Sequence, residues 1–228
     1  MKSLCILVAG LIITSSISKG QNNVVRALDH FSKIEVKNGI LVQLIKSDKE
    51  SADIKTQEIQ PSQVITEIKD GMLIFRTDKP PFTKSKVMVK LYYKNVVLIN
   101  GSGKSEISSS SLIKQDSLSI DLDSGAKAYL SLDIKYLKSE LTEGALIAAD
   151  GYAVKQDASV STGATLSAFD LESDEIAIKV SANGKAKINV EKNLSADVST
   201  GGYVSYKGNP AVKDINTSIG GKVEKYTE

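Results

Sequence analysis

From residue 99 onward the chain returns, at an almost constant interval, to one five-residue mark. It reads apolar lead, small or polar residue, any residue, glycine-like residue, then Ala or Gly. The copies are INGSG ending at Gly103, LDSGA at Ala126, LTEGA at Ala145, VSTGA at Ala164, VSANG at Gly184, VSTGG at Gly202 and TSIGG at Gly221. The fourth position falls at 102, 125, 144, 163, 183, 201 and 220, giving intervals of 23, 19, 19, 20, 18 and 19 residues. A period of this length means one structural unit stacked on copies of itself.

Between the marks apolar residues alternate with polar ones. Leu118, Ile120, Leu122, Ala126, Ala128, Leu130 and Leu132 share one parity, and Ile176, Ile178, Val180, Ala182, Ala186, Ile188 and Val190 repeat the scheme. Period-two alternation describes strands with one buried face, and no helical stripe longer than two turns competes with it. A hairpin-built sandwich would show turn pairs about every eight to twelve residues. Here the inward parity runs straight across each mark, so the mark is not a hairpin turn. Parity breaks near Lys135, Gly151–Tyr152 and Asp174–Glu175, which are the expected corners. A 19- to 20-residue coil at about 3.3 Å per residue has a perimeter of roughly 65 Å, suited to one turn of a β-solenoid. Seven turns at about 4.8 Å each give a body of roughly 35 Å. The Ala126, Ala145, Ala164, Gly184, Gly202 and Gly221 series marks a place where the section narrows.

The segment before the repeat divides in two. Residues 1–20 have a basic start at Lys2, an apolar run from Leu4 to about Thr14 and small residues at Ser18 and Gly20, the layout of a secretory signal peptide. The single cysteine, Cys5, precedes that run, so it does not suit a lipid anchor. Residues 21–98 carry strands without the repeat mark and are expected to form a β cap over the first coil. Gly39 and the Asp70-Gly71 pair are turn points, and Pro80-Pro81 marks a loop. Residues 99–228 are the solenoid repeats, so 21–228 form one continuous structural domain.

Charge and residue supply narrow the chemistry. Lys and Arg total 29 against 27 acids, and removing Lys2 and Lys19 brings the exported chain to balance. That balance calls for neither nucleic acid nor an anionic membrane. No later stretch is long enough to span a bilayer. Histidine occurs once, tryptophan never and arginine only at 26 and 76. The run VVLINGSGKS resembles a phosphate loop, but the Walker pattern needs a glycine five residues before Gly103, where Leu98 stands, and a helix after it. The following SEISSSSLIKQDSLSIDL alternates instead. GSGKS is therefore expected to be the first repeat mark, with Lys104 pointing outward and no nucleotide bound.

Taken in order, FSKIEVKNGILVQL, TEIKDGMLIF, INGSGKSEI, the serial Ser-x-Gly coils and the closing YKGNPAVKDI…SIGGKVEK resemble an exported bacterial family. It is named for a "head GIN domain", a putative autotransporter adhesin, and is common in the Bacteroidetes group. The resemblance covers about residues 29–225 and implies a right-handed parallel β-helix. The family's usual Gly-Ser-Gly-Asp coil mark is not kept: only the first copy has Gly-Ser-Gly, and Lys104 stands where the acid would be. No metal or ligand role of that acid carries over.

Single candidates remain. His30 beside Asp29 has no second histidine or cysteine to make a metal or base site. G-x-S-x-G is absent, and Ser108–Ser111 reads as a polar corner. Asp121, Asp123 and Asp133 point outward. Aligned by the repeat, Asp123 is followed by Thr142, Ser161, Ser181, Ser199 and Ser218, a hydroxyl column able to hydrogen-bond between coils. Outward Tyr129, Tyr136 and Tyr203 offer a surface for sugar rings or peptide. No catalytic, cofactor or metal residue is assigned. The expectation is a non-catalytic exported module, an adhesin or envelope binding or structural protein, meeting surface glycan or protein in the periplasm, at the cell surface or secreted. The alternative is a carbohydrate-active β-helix enzyme, which requires acids from three neighbouring coils to converge in one groove.

Overall fold

The computed structural model describes residues 21–78 and 85–227. Residues 1–20, expected to be a signal peptide, and the expected loop at Pro80-Pro81 lie outside the described residues. The strands in chain order begin with β1 (Gln21–Ala27), β2 (Lys33–Val36), β3 (Leu41–Lys46) and β4 (Ser51–Gln57). A 3₁₀ turn at Pro61–Gln63 leads into β5 (Val64–Lys69), β6 (Met72–Thr77) and β7 (Lys86–Tyr93). There follow β8 (Leu98–Gly101), β9 (Glu106–Ser109), β10 (Ile113–Leu122) and β11 (Lys127–Leu141). Then come β12 (Leu146–Val160), β13 (Thr165–Val180) and β14 (Lys185–Val198). The last are β15 (Tyr203–Lys207), β16 (Val212–Thr217) and β17 (Lys222–Lys225). They wind as a β-solenoid of about seven turns.

Each long strand serves two rungs. The second half of β11 lies parallel on β10 (Leu118 beside Leu137, Leu122 beside Leu141), and its first half lies on β9 (Ala128 beside Ile107). The same offset carries β12, β13 and β14 down the stack. Neighbouring rungs therefore align equivalent residues in columns. Leu122, Leu141, Val160, Val180 and Val198 form one inward column, and all are buried. Another runs Ile107, Ala128, Ile147, Leu166, Ala186, Val204. Burying each Val, Leu or Ile of these columns stabilises the fold by roughly 1.5–3 kcal/mol.

The repeat mark is a tight corner. Its two central residues are both left-handed, as in Ser124 (φ 49°) and Gly125 (φ 73°), and the inward Ala126 N–H donates to the Asp123 carbonyl at 2.9 Å. The chain turns as in a type I′ turn, but the flanking strands pair with neighbouring coils and not with each other. This adds a corner at the mark itself to those expected at the parity breaks. The breaks at Lys135–Tyr136 and Asp174–Glu175 stand as read, while the one near Gly151–Tyr152 sits at Val154–Lys155 because Ala153 stays inward.

The first mark needs a correction of two residues. Gly101 pairs with Leu122 and Glu106 with Lys127, so Lys104, not Ser102, is the equivalent of Gly125. Lys104 takes φ 63°, the left-handed angle that glycine holds in most other copies. The inward equivalent of Ala126 is Ser105. The expected narrow column is present below it: Ala126, Ala145, Ala164, Gly184 and Gly202 are all buried. A Cβ on Gly184 or Gly202 would lie 2.5 or 2.6 Å from the carbonyl oxygen of Val160 or Val180.

The parallel stack also begins earlier than residue 99. Asn38-Gly39 is a further left-handed pair, and β2 and β3 lie parallel to β8 and β9. After β3 the chain leaves the stack, runs through β4 to β7, and returns on the other side of the β2–β3 rung. Antiparallel strands are outermost at this end, β1 on β4 and β5 on β6, with the expected Asp70-Gly71 turn joining the latter pair. Arg26 bridges them, donating to the carbonyls of Val64 (2.7 Å) and Pro61 (2.8 Å) and to Thr66 Oγ1 (2.5 Å).

Two substitutions test the corner. Lys104→Gly relieves a left-handed side chain and is expected to raise unfolding stability by about 1 kcal/mol. Gly202→Ala forces the backbone away from Val180 and is expected to lower it by about 1–3 kcal/mol. Urea titrations of the two variants beside the parent measure both signs.

Candidate functional site

The three tyrosines fall in different places. Tyr129 lies in the first half of β11 and is 39% exposed. Tyr136 lies beyond the next corner, over Ser117 and Lys155, and its hydroxyl donates to Asp157 Oδ2 at 3.4 Å. Tyr203 shares the Tyr129 sheet face but sits on β15. Its hydroxyl donates to Glu224, and Lys222 Nζ stands 5.7 Å from its ring. Tyr129 and Tyr203 are four rungs apart, roughly 19 Å. They do not form one platform.

Of the three, Tyr129 is the one that lines a groove among the described residues. Its column reads Gln43, Ser108, Tyr129, Ala148, Ser167, so the ring is flanked on both sides by small residues. The small neighbours leave a depression of about 360 Å³, completed by Ser131, Asp150 and Asp170. Ser131 Oγ donates to Asp150 Oδ2 at 3.0 Å. Through Ser108 it adjoins a second depression of about 340 Å³ walled by Leu41, Met88, Lys90 and Asp53. Met88 is 40% exposed there, and Asp53 Oδ1 is buried without a hydrogen-bond partner. The pair of hollows crosses the strands and combines one aromatic face, apolar patches and carboxylate acceptors.

The acids group on the opposite sheet. Glu35, Asn100, Asp121 and Glu140 occupy one outward column on four successive rungs, with Asp123 beside Asp121. They line two shallow hollows that meet at Asp121 and Asp123. Glu35 and Glu140 are held by Lys37 (3.0 Å) and Lys138 (2.7 Å). Burial pushes the Asp121 carboxyl above its ordinary value, Glu140 adds to the rise and Lys138 opposes it. Sequence reasoning misses this column, because it follows only that of Asp123. The offset of 19 from Asp121 to Glu140 is the signal that reveals it. Asp133 is elsewhere, paired with Lys114 at 2.7 Å.

Other candidates resolve into structure. His30 is 70% exposed and rests on Glu50 at 3.1 Å. In the hydroxyl column Ser161 Oγ donates to Thr142 Oγ1 at 3.4 Å. Amides at the GSGKS corner are already donated: Ser102 to Val36, Lys104 to Ser124 and Ser105 to Ser102. A phosphate would find those donors taken. Among the described residues no three metal-ligating side chains cluster, and no helix is long and apolar enough to cross a membrane.

The fold and its ladders define a β-solenoid. Residues 30–210 match the family described as "Putative auto-transporter adhesin, head GIN domain", and the chain belongs to that family. Its backbone is similar to a putative adhesin from Bacteroides fragilis NCTC 9343, with 17% identity, TM-score 0.82 and coverage of 92% of this chain and 98% of that one. A putative adhesin from Parabacteroides merdae ATCC 43184 is similar at 22% identity and TM-score 0.68, covering 92% and 97%. So is a structure described as a putative lipid binding protein from Parabacteroides distasonis ATCC 8503, at 16% identity and TM-score 0.66, covering 92% and 98%. At these identities the likeness establishes the fold alone. No curated protein is significantly similar to the chain.

Asp121 gives a pH test of the acidic column. Its proton is held more tightly in the folded chain, so its contribution to stability is full below the ordinary carboxylate range. That contribution is lost as pH rises through the raised value. Asp121→Asn is expected to match the parent at low pH and exceed it in stability at neutral pH. Urea melts across that range read the difference, and a gap independent of pH would assign it to something other than titration.

Proposed function

We propose that this chain is an exported, non-catalytic binding module of the bacterial envelope, an adhesin that takes surface glycan on the sheet face around Tyr129. The observation that carries this reading is the exposed tyrosine set among Ser108, Ala148 and Ser167, with Asp150 and Asp170 alongside. Sugar rings stack on an aromatic face and donate their hydroxyls to carboxylates. Membership of an adhesin family supports a surface role, and the N-terminal twenty residues supply the export signal.

A second reading is favoured by the column of acids. Asp121 and Glu140 stand on adjacent rungs, and two closely set carboxyl groups, one holding its proton more tightly than usual, are the arrangement a retaining glycosidase uses. Against it, Glu140 is engaged by Lys138 and the hollow is shallow and open.

Screening the purified chain on immobilised envelope glycans, then titrating a hit by calorimetry, tests both. Tyr129→Ala is expected to weaken binding about tenfold or more, the loss of one stacking face, while Tyr136→Ala leaves it unchanged. Equal losses, or no glycan bound at micromolar concentration, would remove the Tyr129 face. Release of reducing ends that disappears in Asp121→Asn would establish the enzyme instead.

A further inference from the structure

The two ends of the solenoid are finished differently. At the N-terminal end Arg26 ties β1 to β5 across the opening. At the C-terminal end β16 pairs only with β14, and β17 only with β15. No strand lies beyond them among the described residues. The inward columns simply stop there. Ile215 continues Ile178 and Ala196 but is 38% exposed where they are buried, and Val223 continues the buried Val204. Val212 is 59% and Ile219 80% exposed. An open edge with its core uncovered pairs readily with another strand, and natural folds usually block it.

We propose that a second copy of this chain covers this end, the two solenoids meeting through β16 and β17 about a two-fold axis. Side-chain direction limits the registers. In an antiparallel pair facing residues must point to the same side, so a residue and not a peptide bond lies on the axis. For β16, centring on Asp214 sets it against the partner's Asp214, and centring on Lys213 opposes two lysines. Centring on Ile215 brings inward Ile215 onto the partner's Ile215 and sets Asp214 beside the partner's Asn216, with no like charges opposed. For β17, centring on Val223 stacks Val223 on the partner's Val223 and sets Lys222 opposite the partner's Glu224, twice over. Ile215 and Val223 lie equally far from Ile219 at the corner, four residues on either side. The proposed axis runs across the section through both centres.

Ile219 adds an independent sign. It is a β-branched residue at φ 46°, a left-handed angle that such side chains rarely take. In the same register it falls over the partner's Ala211, where its exposed side chain gains cover. A head-to-tail stack would instead press the open end against the polar Arg26 bridge. The symmetric pairing also closes after two copies, whereas head-to-tail contact does not.

Sedimentation velocity of the purified chain across a micromolar concentration series is expected to show monomer and dimer. Lys222→Glu brings two acids face to face across the contact, and Glu224→Lys brings two lysines face to face. Each is expected to weaken the dimer about tenfold or more, two repulsive pairs replacing two attractive ones. Mixing the two single variants restores opposite charges across the contact only, so a mixed dimer is expected from chains that are separately monomeric. Ile219→Gly is expected to raise the melting temperature of the monomer while weakening the dimer. A parent that stays monomeric throughout overturns the proposal. So does a dimer indifferent to the charge changes, or a series of growing oligomers.

Discussion

Backbone hydrogen bonds from rung to rung set everything else in this molecule. Each rung both donates to and accepts from its neighbours at about 4.8 Å, as Thr142 N–H donates back to Leu122 and Gly125 N–H donates forward to Glu143, and a parallel register lets equivalent residues stand directly over one another. Inward columns become the core, outward columns become the faces, and the corner amides join the same ladder. The glycine-position N–H at 104, 125, 144, 163 and 201 donates to a carbonyl of the following rung. That is why a string resembling a phosphate loop serves here as a corner: its donors belong to the stack.

The same register distributes chemistry over separate faces. Small residues above and below Tyr129 make a hollow by omission of side-chain volume, not by folding of a loop. The acids on the other sheet are partly neutralised by lysines two residues along their own strands, Lys37 for Glu35 and Lys138 for Glu140. Asp121 has the weaker compensation and carries the raised titration.

The solenoid is legible because its period survives in the amino acids: alternation reveals the buried parity, and the Ala–Gly series marks the narrow column. Legibility fails where the period is masked. GSGKS contains two glycines at plausible places, and its coil is longer than the next, so the pattern sets the first mark two residues early. Asn38-Gly39 belongs to the stack, but the passage through β4 to β7 separates it from Lys104. Gln156 occupies an inward column between Leu137 and Ile176, donating to Ser173 Oγ at 2.6 Å, and its polarity hides it from any hydrophobic pattern. Alternation groups the tyrosines together, because it distinguishes in from out and not one sheet from the other. Tyr136 lies past the corner that the parity break near Lys135 marks, and so faces away from Tyr129.

The detour between β3 and β8 bears on how the chain acquires its shape. The rung made by β2 and β3 is flanked by β6 and β7 on one side and by β8 and β9 on the other. Its hydrogen bonds stay incomplete until residues up to Ser109 are present, so the earliest cooperative unit joins segments distant in sequence and is slow to nucleate. After that, each lap of the thread finds a finished template and needs only its own short length to add. A chain crossing a membrane N-terminus first would thus assemble in one hesitant step followed by a quick succession of easy ones.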